Sequence, residues 1–123
     1  MTRGGCFDID AERSAVFAQA SGSTVMASAD EVIASSDMVY ICTWTSEHQH
    51  LVEKCIAAGK PFFCEKPLSI GLREANEMYV AATASGLTHQ CGLILRRSPA
   101  YLWARELISD PAAGAPMAVV FRD

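Results

Sequence analysis

A chain of 123 residues, half of them hydrophobic, is sized for one globular domain with its own core and is too short for two ordinary ones. Ten Lys and Arg stand against 14 Asp and Glu, a formal charge of −4, and the cations are scattered, which argues against the clustered basic face a nucleic-acid binder needs. No stretch approaches the roughly 20 apolar residues of a membrane span, and MTRGGCFDID lacks a signal-peptide core, so a cytoplasmic protein with no membrane contact is expected.

The five cysteines, Cys6, Cys42, Cys55, Cys64 and Cys91, are odd in number and show no CxxC spacing. That pattern predicts reduced thiols, mostly inside the core, rather than disulfides or a metal site.

In chain order, a short strand over 5–8 runs into a helix that Asp10 caps and Gly22 ends. The β-prone stretch 24–27 gives a second strand, and Ser28-Ala-Asp-Glu31 is a capping-box pattern opening a brief helix. Met38 to Cys42 is a continuous apolar run of strand length, the signature of a central parallel strand covered on both faces. Leu51, Val52, Cys55 and Ile56 then recur at helical spacing over about 46–58, and Gly59 closes that helix before a strand at 61–64.

Leu72, Ala75, Met78, Tyr79 and Ala82 lie along one face of a helix over 71–85, which Gly86 ends before a strand at 87–93. Ser98-Pro99 starts another helix, with serine at the N-cap and proline at the first helical position. The segment 110–116 reads as a hinge between domains, and 117–121 as a final strand. Strands alternating with helices of about 10 to 15 residues predict βαβ units: an α/β domain with a parallel sheet and helices on both faces.

Ligands of open parallel sheets bind beyond the carboxyl ends of the strands. The residues there are polar: Asp8, Thr43, Glu65 with Lys66, and Arg96. An acid in the place of Asp8 can accept both hydroxyl hydrogens of an adenosine ribose and repels a 2′-phosphate, favouring NAD over NADP; it can equally be a loop or capping aspartate. Lys66 precedes a proline, which restricts its backbone and aims its amine. A lysine beside an oxidised nicotinamide can exchange a proton with a substrate hydroxyl during hydride transfer, although an isolated Glu-Lys pair is more often plain surface. In Glu47-His48-Gln49-His50 the two histidines would project about 200° apart on a helix, which does not suit joint metal ligation.

The run MVYICTWTSEHQHLVEKCIAAGKPFFCEKPLS resembles the middle of the nucleotide-binding domain of the Gfo/Idh/MocA oxidoreductases. CFDIDAER is similar to that family's second strand with its acidic ribose ligand, and GLILRRSPAY to its sixth strand and the following helix start. The resemblance implies a Rossmann-like fold and an NAD(P) cofactor, with hydride transfer at a carbinol carbon of a sugar, polyol or related metabolite. It makes Lys66 the catalytic residue, with Lys66-Pro67 in the cis form, and Asp8 the ribose ligand. Ile41, Cys42, Thr43 and Trp44 would line the cofactor, His48 would be the histidine at the helix start, Glu65 with Lys66 the nicotinamide-side pair, and Arg96 would point toward the substrate. Two positions depart from the family pattern: Trp44 stands where proline is common, and Gly71 where a hydroxyl residue usually caps the next helix.

The family's first strand and GxGxxG turn, whose amides hold the pyrophosphate, have no counterpart in these residues. In the strand order 3-2-1-4-5-6 that strand would lie between the Asp8 strand and the Met38 strand, leaving two edges without their shared partner. The expectation is therefore an incomplete dinucleotide-binding domain over 1–116 and the start of a substrate domain at 117–123, a fragment that is inactive as it stands. The competing expectation is a non-catalytic remnant that acts as a binding or interaction module or self-associates through the unpaired edges. On the first view, Asp8, Thr43 and Lys66 emerge along one rim of side-by-side strands.

Overall fold

The structure, a computed structural model, describes residues 4–115. The chain divides into two compact units, one ending at Gly92 and the other beginning at Leu93. The expected strand at 117–121 and the expected domain boundary at 116 lie outside the described residues.

The first unit opens with strand β1 (Gly5–Cys6), helix α1 (Ala11–Ser21), strand β2 (Thr24–Val25) and helix α2 (Ala29–Ser35). The helix boundaries follow from their caps. Asp10 Oδ1 accepts from the N–H groups of Glu12 at 3.0 Å and Arg13 at 3.3 Å, and Gly22, at φ 73°, donates to Ala18 O at 2.8 Å. Ser28 Oγ accepts from Glu31 N at 3.2 Å, while Glu31 Oε2 accepts from Ala27 N at 3.0 Å, one residue earlier than the reciprocal bond of a capping box. Strands β1 and β2 are parallel, Gly5 opposite Thr24 and Cys6 opposite Val25.

Strand β3 (Val39–Ile41), helix α3 (His48–Ala57), strand β4 (Phe62–Cys64), helix α4 (Leu72–Ser85) and strand β5 (His89–Cys91) complete the unit. The three strands form a parallel sheet in the order β3-β4-β5, with Ile41, Cys64 and Cys91 in register at its carboxyl end. All observed pairing is parallel, the arrangement expected of a Rossmann-like α/β fold. No ladder joins β1 to β3: the pair β1-β2 and the triplet β3-β4-β5 are separate sheets.

The core unites Ile33 of α2, Val39 and Ile41 of β3, Val52 and Cys55 of α3, Phe62 and Cys64 of β4, and Met78 and Ala82 of α4, with Leu51, Ile56 and Leu68 packed partly buried against it. Each such aliphatic or aromatic side chain contributes about 1.5–3 kcal/mol by leaving water. Strand β3 is not sealed on both sides, as its unbroken apolar run suggests. Val39 and Ile41 point into the core while Tyr40, on the opposite face, is 63% exposed and lies against Phe63 of β4, ring centres 5.3 Å apart and planes tilted by 34°. In α4 the buried line runs through Met78 and Ala82, and Leu72 and Tyr79 are exposed; Tyr79 is turned about 100° from its neighbour Met78, which takes it off the core face.

Helix α3 ends in a Schellman arrangement: Gly59, at φ 66°, donates to Ile56 O at 3.0 Å and Lys60 N to Cys55 O at 2.9 Å. That turn sets Lys60 so that its Nζ donates to Ser36 O at 2.7 Å and Ala34 O at 3.2 Å, the carbonyls left open at the end of α2. Gly71 precedes α4 without a capping side chain, and the Glu74 carboxylate occupies the space where one would lie.

The second unit holds a 3-10 turn (Ile94–Arg97), helix α5 (Pro99–Ser109) and a second 3-10 turn (Pro111–Ala113). Ser98 occupies the N-cap of α5, with Pro99 as the first helical residue, but its hydroxyl makes no capping bond. Asp110 caps the last turn instead, accepting from Ala112 N at 2.9 Å. Among the described residues no helix is long and apolar enough to cross a membrane.

Candidate functional site

The carboxyl end of the three-stranded sheet gathers most of the residues singled out by the sequence. Backbone pairing fixes their relation: Glu65 N donates to Ile41 O at 3.0 Å, and Gly92 N to Cys64 O at 2.8 Å. The turns after β3, β4 and β5 therefore share one rim. Lys66 and Thr43 lie there, both exposed, with Glu65 half-buried beside them.

Glu65 Oε2 accepts from the Lys66 N–H at 2.9 Å, and the Lys66-Pro67 bond is cis, as the resemblance implies. The Lys66 amine makes no hydrogen bond or ion pair among the described residues. An amine held at its backbone and free at its tip suits proton exchange with a ligand.

Cys42 follows β3 at the same rim. Loss of hydration, and secondarily the Glu65 carboxylate, push its thiol above the ordinary value, so it is a poor nucleophile. Thr43 Oγ1 donates to Trp44 O at 3.4 Å. The Trp44 ring is 74% exposed, and its backbone, at φ −61° and ψ 145°, holds the extended geometry a proline would impose. The departure at this position thus keeps the path of the chain and adds an exposed indole. Ile41 is buried in the core, offering the rim only its backbone.

His48, first residue of α3, is buried. Its Nδ1 lies 3.0 Å from Pro67 O and 3.3 Å from Leu68 O, and its Nε2 lies 3.2 Å from Thr43 O. Both ring nitrogens are engaged by the backbone, leaving neither for a cofactor.

Asp8 follows β1, in the separate two-stranded sheet, so the single continuous rim expected for Asp8, Thr43 and Lys66 is divided. Thr43 and Lys66 leave adjacent strands, and the strand that the Rossmann order interposes before Asp8 is not among the described residues. Asp8 Oδ1 accepts from Asp10 N at 2.9 Å, a bond that orients the half-buried carboxylate. Arg96 is exposed in the first turn of the second unit.

Two residues that sequence reasoning passed over shape the site. Ser14 is the one buried residue of α1; its Oγ accepts from Asp8 N at 2.7 Å and donates to Asp8 O at 3.3 Å, bracing the turn that presents the carboxylate. A serine within a helix gives no local sign of this work. Gly92 is buried against Glu65: a Cβ there would meet Glu65 Oε2 at 2.7 Å. A glycine directly after a strand does signal close approach of another group.

Known proteins resemble this chain over most of its length. Residues 4–93 match the family profile described as "Oxidoreductase family, NAD-binding Rossmann fold". An inositol 2-dehydrogenase of Cereibacter sphaeroides is 38% identical over 100 residues, covering 80% of this chain and 30% of that enzyme. A 1,5-anhydro-D-fructose reductase of Ensifer adhaerens is 34% identical over 111 residues, covering 88% of this chain and 33% of that enzyme. Among solved structures, GenD2 from gentamicin A biosynthesis, in complex with NAD, superposes with a TM-score of 0.82 at 27% identity, over 92% of this chain and 33% of its own. The chain thus spans about a third of the length of these relatives. By the profile match and by these identities, it belongs to the Gfo/Idh/MocA oxidoreductase family, within that family's NAD-binding Rossmann domain.

Proposed function

We propose that this chain is the cofactor-side portion of an NAD-dependent oxidoreductase acting at a carbinol carbon of a sugar or polyol, and that Lys66 is its proton-exchanging residue. The observation that carries the reading is the convergence of three strand ends through Glu65 N on Ile41 O and Gly92 N on Cys64 O, with the Lys66 amine unengaged at that rim. The dehydrogenase and reductase relatives, whose names specify a cyclic polyol and a sugar derivative, support the substrate class.

The residues present fit part of the cofactor. The half-buried Asp8 carboxylate, oriented by Asp10 N and braced by Ser14, suits a ribose diol and disfavours a 2′-phosphate. Thr43, Glu65 and Lys66 suit the nicotinamide side. No GxGxxG turn occurs in the sequence to cradle the pyrophosphate. When bound, the nicotinamide supplies the hydride acceptor. Lys66 takes the proton from the substrate hydroxyl at its Nζ, while Glu65, bonded to the Lys66 N–H, holds the lysine backbone in place.

By itself the chain should bind NADH only in the millimolar range and show no turnover. Titration of 15N-labelled protein with NADH tests this: the amides of Asp8, Thr43 and Lys66 should shift together, with a weaker response to NADPH that strengthens in Asp8→Ala. Absence of shifts at all three positions at millimolar NADH would refute the oxidoreductase reading. Micromolar affinity would refute the claim that the phosphate cradle is lacking.

A further inference from the structure

Two turns carry the candidate chemistry, one after β3 at Thr43 and one after β4 at Lys66-Pro67-Leu68, and the His48 side chain touches both. His48 is only 1% exposed, and each edge of its ring meets main-chain carbonyls: Thr43 O at 3.2 Å from Nε2, and Pro67 O and Leu68 O at 3.0 and 3.3 Å from Nδ1. All three partners are acceptors, so neither ring nitrogen is spare for a ligand; the ring donates to both sides when doubly protonated and to one side when neutral. The contacts at Nδ1 span 19 and 20 residues of sequence, tying the start of α3 to the turn that presents Lys66.

The neighbouring restraints leave a gap that His48 fills. Glu65 is fixed to the sheet by its N–H on Ile41 O, and Lys66 N is held by Glu65 Oε2 at 2.9 Å, but those bonds act on the strand side of the turn. Beyond Lys66 the carbonyls of Pro67 and Leu68 are anchored by the imidazole.

We propose that His48 is a positioning residue that clamps the Lys66-Pro67-Leu68 turn to the Thr43 turn and thereby sets the direction of the Lys66 amine. Only the purpose of that fixed direction rests on the oxidoreductase reading; the clamp is a property of the chain alone.

The two edges of the ring can be tested separately, because an asparagine amide reaches about as far as Nδ1 and a glutamine amide about as far as Nε2. Backbone 15N order parameters and amide exchange are measured on the cofactor-free chain. In His48→Asn, the turn at 66–68 should stay ordered while Thr43 and Trp44 loosen. In His48→Gln the pattern should reverse. In His48→Phe, which keeps the ring volume, both turns should loosen, with exchange of the Lys66 amide quickening about tenfold, the scale of one lost hydrogen bond.

A ring N–H proton of His48 slow enough in exchange to be observed is the accompanying signature in the unmodified chain. If all variants instead loosen β3, β4 and α3 evenly, or if none changes either turn, the clamp is refuted. Should His48→Phe fail to fold, the Asn and Gln variants still decide the matter. Loss of NADH-induced shifts with the clamp pattern intact would refute the oxidoreductase reading and leave this one standing.

Discussion

A methyl group at position 92 would lie 2.7 Å from Glu65 Oε2 and 3.1 Å from Phe63 Cζ, so Gly92→Ala must displace the carboxylate that accepts from the Lys66 N–H. The carboxylate is the free end of a flexible side chain, and its retreat costs little. We expect a stability change below about 1 kcal/mol in urea unfolding, together with faster exchange and a shifted resonance for the Lys66 amide. An unmoved Lys66 amide would show that Glu65 accommodates the methyl without breaking that bond. At this scale the sequence singled out Asp8, Thr43, Glu65 and Lys66 because each follows a strand end, the place where ligands of parallel sheets bind. It did not reveal Ser14, Gly92 or the partners of His48. Their roles arise from contacts between segments that only the folded chain brings together.

Helix α2 couples the two sheets. Its Ile33 belongs to the same core cluster as Val39 and Val52, its Asp30 carboxylate lies 2.6 Å from Lys54 of α3, and its final carbonyls accept from Lys60. The Asp30–Lys54 pair is largely solvated and contributes little. Lys60 matters more, because it satisfies Ala34 O and Ser36 O just where the helix ends without a left-handed cap. Lys60→Met keeps the aliphatic stem and removes the donor. We expect a loss of about 1–2 kcal/mol in thermal or urea unfolding, with increased exchange concentrated in the last turn of α2. A loss spread evenly over the unit would place the role of Lys60 elsewhere.

The helix ends were legible in advance, since Asp10, Gly22, Ser28, Gly59 and Gly86 act through bonds within a few residues of themselves. The strands proved shorter than their apolar runs. A ladder needs a partner at every position, and apolar character alone cannot supply it.

Two sulfurs are sealed within the core of the first unit. Burial pushes the Cys55 thiol from its ordinary 9.0 to about 11 and Cys64 to about 12, the latter aided by its neighbours Cys91, Cys42, Glu65 and Cys55. The folded chain therefore retains these protons where the unfolded chain sheds them. Below pH 9 both states keep them and stability is unaffected; from about pH 9 toward 11 stability falls, by about 1.4 kcal/mol per pH unit for each thiol. The urea midpoint should drop across that window and drop less steeply in Cys55→Ala, whereas equal slopes in the two proteins would contradict the assignment.

The parallel α/β plan was readable from the alternation of apolar strands and capped helices. The division into two sheets was foreshadowed only by the lack, in these residues, of a GxGxxG turn and the strand that leads into it, and the exposure of Tyr40 was not foreshadowed at all, because an unbroken apolar run does not say which of its faces a helix will cover.

The enclosure of Cys55 and Cys64, at 0% and 1% exposure, has a practical corollary. An alkylating reagent reaches them only in molecules that have momentarily opened, so the labelling rate at these two sites gauges how often the core comes apart. The molecule thus carries its own clock for breathing, built from atoms sealed in its interior.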